Sequence, residues 1–194
     1  MKTARFLFLL SAILMARATL HPSVALASSR VMVFGDTGGT ICALNDAAGV
    51  VDYYIVHVYT SAATSVSFAA PLPDCHTGTW IGDVPVFAGT VGDSQSGVTV
   101  NYGECLSHPI HVLTIQVLAL GTTPPCCCYP VLPKPGSTSG YVETTDCDGI
   151  TKTAPYEFGH PINETTYCVC ECTPTPLPTE PATWGRIKAL YHHN

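Results

Sequence analysis

Charge is what this sequence has least of. Asp, Glu, Lys and Arg together make up 11% of its 194 residues, and only 8 of them are basic. Three of those 8 (Lys2, Arg5 and Arg17) fall within the first 27 residues, so the remainder carries 5 basic against 14 acidic residues, a net charge of −9. Phosphate backbones repel such a surface, which argues against nucleic acid as a partner. Long apolar runs are also missing. The run Phe6 to Ala16 is about eleven residues long, too short to cross a bilayer of roughly 30 Å as a helix, and no later stretch is longer and equally apolar. No transmembrane segment is therefore expected in the mature chain. The body lacks any sustained 3.6-residue apolar period, and it shows no alternation of strands with helices. Helix bundles and parallel α/β folds are disfavoured on that ground.

What is present is apolar residues, turn formers and sulfur. Hydrophobic residues account for 46% of the chain, enough to build a core and exclude wholesale disorder. The sequence holds 16 Gly, 16 Pro and 10 Cys. At the N-terminus, Lys2 and Arg5 precede the short apolar run, and Ala25-Leu26-Ala27 fits the small-x-small rule for signal cleavage. Residues 1–27 thus read as a signal peptide, and the product as secreted or held in the cell envelope.

Export decides how the cysteines are read. Cys42, Cys75, Cys105, Cys126, Cys127, Cys128, Cys147, Cys168, Cys170 and Cys172 all follow the cut. An even number of thiols in an oxidising space predicts disulfides. Adjacent residues of an extended chain point to opposite sides, so each tight cluster can send bridges in two directions. Neither cluster shows cleanly the Cys-x2-4-Cys pairs of structural zinc sites. No cofactor or metal is assigned, and the pairing is open at this stage.

Period-two patterns dominate the body. Val98, Val100 and Tyr102 alternate with Thr99 and Asn101. Val66, Phe68 and Ala70 alternate with Ser65, Ser67 and Ala69. Leu113, Ile115, Val117 and Ala119 oppose Thr114 and Gln116. Val50 to Thr60 should be a central strand covered on both faces, with Tyr53, Ile55 and Tyr59 on one side and Tyr54, Val56 and Val58 on the other. Turn signals fall at Asn45-Asp46, Asp93-Ser94, Pro124-Pro125, Pro135-Gly136 and Asp148-Gly149. The expectation is an all-β, disulfide-stapled antiparallel β-sandwich of Ig-like outline over 28–172. A Pro/Thr-rich linker follows at 173–181, extended by its repeated prolines. The tail, 182–194, sets Trp184, Ile187, Leu190 and Tyr191 at helical spacing and predicts a short amphipathic helix. It reads either as a sorting or anchoring signal or as a cap folded back on the domain.

That tail carries a resemblance. Thr183-Trp184-Gly185-Arg186-Ile187-Lys188-Ala189-Leu190-Tyr191 resembles the ending Thr-Trp-Gly-x-Ile-Lys-x-Leu-Tyr of uncharacterised secreted bacterial β-rich proteins. The body is similar to that group at Gly38-Gly39-Thr40-Ile41-Cys42-Ala43-Leu44-Asn45-Asp46, at Gly92-Asp93-Ser94-Gln95-Ser96-Gly97-Val98, and in the Cys-rich stretch leading to Val131-Leu132-Pro133. The resemblance implies an exported β-rich module, with Thr183, Trp184, Gly185, Ile187, Lys188, Leu190 and Tyr191 as the candidate sorting residues. It implies no activity.

Motifs for chemistry are weak. Asp36-Thr37-Gly38 matches the aspartic-protease tripeptide, but it occurs once, and Asp and Gly equally favour a turn after a first strand. Gly92-Asp93-Ser94-Gln95-Ser96-Gly97 approximates Gly-x-Ser-x-Gly but puts Ser96 where the last Gly belongs, and it lacks the strand-turn-helix setting. His108 and His111 are separated by an odd offset and would face opposite sides of a strand. His57 and His76 stand alone in sequence, His76 having only Asp74 nearby. Asn163-Glu164-Thr165 fits the N-glycosylation pattern. Trp80, in a turn-rich stretch, is either a core residue or a surface platform for a sugar. The leading expectation is a non-enzymatic structural or adhesive module at the cell surface, whose partners would be an export or anchoring machine, a glycan or a surface protein. A carbohydrate- or ligand-binding domain is the alternative, and a hydrolase built on Asp36 the third reading.

Overall fold

Period-two alternation becomes strand pairing in the computed structural model, which describes residues 29–155, 157–165, 168 and 170. The proposed signal, the linker, the tail and Cys172 lie outside the described residues. Eleven strands run in chain order: β1 (Arg30–Phe34), β2 (Gly49–Val58), β3 (Ala63–Phe68), β4 (Gly78–Pro85), β5 (Gly89–Asp93), β6 (Gly97–Leu106), β7 (Ile110–Ala119), β8 (Cys127–Val131), β9 (Val142–Thr145), β10 (Thr151–Ala154) and β11 (Glu157–Ile162). They form a four-stranded sheet β1-β2-β7-β4, a five-stranded sheet β10-β9-β3-β6-β5 and a ribbon β11-β8. Every named pair is antiparallel. No helix occurs among the described residues. The described residues are therefore all-β, as the patterning of the body predicts; the short helix expected at 182–194 lies outside them.

One apolar core draws on all three sheets. Ile55 and Ile115 come from the first, Val66, Phe68, Val98 and Val100 from the second, and Tyr129 and Ile162 from the ribbon. These are the alternating positions of the sequence, now turned inward. Ala69 departs from its expected polar face. It is buried and exchanges backbone hydrogen bonds with Leu132, which ties the end of β3 to the segment after β8.

Strand β2 lies between β1 and β7 and carries a second cluster on its other face. There Val56 and Val58 pack with Met32 and Phe34, flanked by Tyr54, Tyr59 and Cys42. Tyr59 was expected beside Tyr53 and Ile55. It sits with the opposite face instead, because its backbone enters the left-handed region (φ 59°) and ends the strand. The loop after β1 covers this cluster. A side chain on Gly39, at φ 67°, would meet Val58 at 3.1 Å and Val56 at 3.3 Å, so only Gly lets the loop lie so close. At the start of β2, Val50 stays exposed and only the second half of the strand is covered on both faces.

The cluster Cys126-Cys127-Cys128 sends bridges to two segments, while the described members of the second cluster, Cys168 and Cys170, both bridge back to the first. Cys127 joins Cys75, while its neighbours Cys126 and Cys128 join Cys168 and Cys170. Cys105, near the end of β6, joins Cys147 in the turn after β9. Cys42 is also disulfide-bonded, and no free thiol is found among the described residues. Within β8 the pleat gives the reason, since Cys127 faces the core and Cys128 faces outward, while Cys126 is directed by the turn before the strand, at φ 63°. The same ribbon requires Gly159, at φ 82°, because a side chain there would overlap the Tyr129 carbonyl.

Two buried histidines also fill the interior. His57 Nδ1 lies 3.0 Å from Tyr102 Oη, and Ser29 Oγ meets its Nε2. Burial, aided by His108, lowers its pKa from 6.5 to about 4. His160 packs edge-on to Phe34 with ring centroids 4.6 Å apart, and neither of its ring nitrogens has a hydrogen-bond partner. Burial lowers its pKa to about 4 as well, against a small opposing effect of the Val33 backbone.

Three outcomes test this account. Replacing Cys75 and Cys127 together by Ala opens a loop spanning 52 residues, and urea unfolding should show a loss of about 4 kcal/mol. Both histidines bind protons more readily when unfolded, so their contribution is complete above about pH 6.5 and drains away as pH falls through the window down to 4. Equilibrium unfolding at pH 7 and at pH 4 should differ by several kcal/mol, on the order of 3 per histidine. His160→Leu removes two unsatisfied polar atoms and should raise stability at pH 7 by about 1–2 kcal/mol.

Candidate functional site

The candidates from sequence fall at separate places. Asp36 organises the loop that covers the second cluster. Its Oδ1 accepts from the Thr40 and Ile41 amides at 2.8 and 2.7 Å, and its Oδ2 from the Thr40 hydroxyl at 2.8 Å and the Gly38 amide at 3.2 Å. Burial raises its pKa, but the donors from Ile41, Thr40 and Gly38 outweigh that and hold it below the ordinary range. Asp36 is a carboxylate locked as a loop anchor. Asp93 does the same in the β5–β6 hairpin, where Ser96 and Gln95 donate to it and Ser96 chiefly lowers its pKa. The Gly92 to Gly97 stretch is thus a turn, as read. Ser94 is buried, with its hydroxyl 2.8 Å from Asp83.

Trp80 is not in a turn. It lies in β4, partly buried against the core, and its indole N–H donates to Asp83 at 3.0 Å. The glycines and proline of β4 hid this strand from a pattern reading. Asp83 therefore gathers Trp80 and Ser94, joining β4 to the hairpin beside it.

His76 meets a carboxylate, but it is Asp46, not Asp74. Its Nε2 lies 3.7 Å from Asp46 Oδ1 and 3.1 Å from Tyr53 Oη. Both side chains are fully buried. The Thr123 amide donates to Asp46 Oδ2 at 2.7 Å, while Asp46 Oδ1 and His76 Nδ1 have no hydrogen-bond partner. Burial pushes the Asp46 pKa up, yet the Thr123 bonds and the nearby His76 outweigh it and hold the carboxyl low. Burial lowers that of His76, with Asp46 opposing. Asn163 completes the knot, with Nδ2 donating to the Thr123 carbonyl at 2.8 Å and Oδ1 accepting from the Asp46 amide at 3.3 Å. The glycosylation pattern at Asn163 therefore sits on an amide already engaged in joining loops. His111 and His108 do not converge. His111 bonds Thr114 at 3.0 Å, and His108 lies beside Tyr59. No cluster of three metal-ligating side chains occurs among the described residues.

A cleft that no motif announced collects the accessible polar chemistry. Glu143 on β9 pairs with Ser67 on β3, and Ser67 with Thr99 on β6, so the three side chains form one row across three strands. The segment after β8 crosses this face. A turn at Pro135-Gly136, closed by the Ser137 amide on the Lys134 carbonyl, brings Lys134 and Ser137 over the row. Lys134 Nζ donates to Thr99 Oγ1 at 2.8 Å, and Thr99 lies 2.9 Å from Ser67 Oγ. Ser137 and Ser139 hydroxyls each lie 2.8 Å from Glu143 Oε1. The half-open space holds about 270 Å³ and is lined by Ser67, Thr99, Lys134, Pro135, Gly136, Ser137 and Glu143. A hollow of about 600 Å³ near Asn163 is larger but wide open, and Glu164 is the one charged side chain lining it.

Gly97 makes the cleft. It has φ 115°, and a side chain there would meet Lys134 Cγ and Pro135 Cδ, each at 2.9 Å. The sequence offered one clue. Lys134 is one of the three cations between residues 29 and 165, and Lys152 is bound to Asp146 at 2.8 Å. Lys134 is held by a hydroxyl, and among the described residues no carboxylate forms an ion pair with it. No protein-family model and no curated protein matches this chain.

The region is thus an all-β, disulfide-linked frame carrying a polar cleft on one sheet face. Gly97→Ala should displace the Lys134 stem and strain the hairpin, lowering stability by about 1–3 kcal/mol. Thermal unfolding measures the loss, and the Lys134 and Thr99 resonances should shift while those of His160, in the separate ribbon, do not.

Proposed function

We propose that this chain is an exported, non-enzymatic module of the cell surface or extracellular space, with a structural or adhesive role. The observation that carries the reading is that every described cysteine is disulfide-bonded, a state that belongs to oxidising compartments. No described helix is long and apolar enough to cross a membrane. The frame is read as an antiparallel β-sandwich of Ig-like outline, a reading supported by two antiparallel sheets that feed one core. The terminal segment 182–194, outside the described residues, is read as a sorting or anchoring tail on its resemblance to the endings of secreted bacterial proteins.

The hydrolase reading loses support, because Asp36 is saturated by loop donors and the buried Asp46–His76 pair is closed to solvent. A second reading, a carbohydrate- or ligand-binding domain, is favoured by one observation, the hydroxyl-rich cleft between Lys134 and Glu143.

Alkylation of the unreduced native protein tests the first reading. Little or no labelling is expected, and labelling of most thiols would sink it. Deleting residues 182–194 tests the tail. The truncated protein should fail to reach the location of the full chain, and unchanged location removes the sorting role.

A further inference from the structure

The cleft over β9, β3 and β6 holds two opposite charges that do not neutralise each other. Lys134 and Glu143 line the same space, yet no ion pair joins them, since each is held by hydroxyls. An ammonium has three donors, and Lys134 uses one on Thr99. A carboxylate has two oxygens, and only Oε1 of Glu143 receives the serine hydroxyls. The cleft therefore presents spare donors at one end and a spare acceptor at the other. Ser67, Thr99 and Ser137 lie along the walls between them, and these hydroxyls both donate and accept.

The occupant that matches must accept from a cation and donate to a carboxylate without adding net charge. Neighbouring hydroxyls of a sugar ring do both. Its volume of about 270 Å³ lies just below the range of drug-sized ligand cavities, which suits a single sugar ring. The Tyr141 carbonyl lies 3.5 Å from Ser137 Oγ and 3.4 Å from Ser139 Oγ, beside the serines that hold Glu143.

We infer that the cleft between Lys134 and Glu143 is a binding site for a neutral saccharide, with Lys134 as donor, Glu143 as acceptor and the hydroxyls of Ser67, Thr99 and Ser137 between them. This rests on the ligand-binding reading above and places the site on the five-stranded sheet, away from Trp80. The hairpin glycine Gly97 is what lets the Lys134 wall approach.

The test uses the full exported chain on an array of neutral and acidic glycans, followed by titration calorimetry of the best neutral sugar. Binding to at least one neutral glycan is expected. Glu143→Gln keeps the serine contacts and Lys134→Met keeps the stem that packs on Gly97, so both variants should melt like the wild type. Each should weaken binding about tenfold or more, as loss of a charge-assisted hydrogen bond does. Trp80→Ala should bind like the wild type. The inference fails if no neutral glycan is retained, if only acidic sugars bind, if free amino acids compete them off, or if Trp80→Ala weakens binding while Glu143→Gln does not. Thiol labelling decides the exported-module reading separately, so a fully oxidised protein that binds no sugar overturns the cleft alone.

Discussion

Three adjacent cysteines where β8 begins govern how this molecule is assembled. The pleat of β8 turns Cys127 inward to Cys75 and Cys128 outward to Cys170, and the turn residue Cys126, at φ 63°, faces Cys168. One short strand is thereby linked covalently to the loop before β4 and to the segment after β11. Few ion pairs share the load. The described body has three cations, and Lys152–Asp146 is an exposed pair of the kind that contributes little. Apolar burial and sulfur cross-links remain as the main terms.

Polar groups in the interior act as knots between loops. Asp36, Asp46, Asp83 and Asp93 each accept several hydrogen bonds from donors in loops or neighbouring strands. A chain so poor in charge uses its carboxylates for architecture. That explains why the two motifs closest to catalytic signatures, at Asp36 and at Ser94, turn out to be anchors. In both, the residues that favour a turn are the same residues that a hydrolase would need.

The sequence disclosed the fold through its long alternating strands. β2, β6 and β7 were legible because their valines, isoleucines and tyrosines recur with period two. β4 was not, since Gly78, Gly82 and Pro85 interrupt the pattern and Trp80 reads as part of a turn. The bridging directions followed from chain geometry, but the partners did not, because pairing depends on which strands meet in space. The cleft was invisible for the same reason. Ser67, Thr99 and Glu143 are unremarkable in sequence and become neighbours only through the register of three strands.

The cysteine triplet where β8 begins has an implication for how the chain matures. In the loose chain Cys126, Cys127 and Cys128 are simply adjacent thiols. The turn at Cys126 and the pleat that starts at Cys127 separate their directions, and both belong to the formed ribbon. Oxidation that outruns strand formation would meet the three thiols before they are sorted, and thiol exchange is the chemistry that would then restore the native linkage.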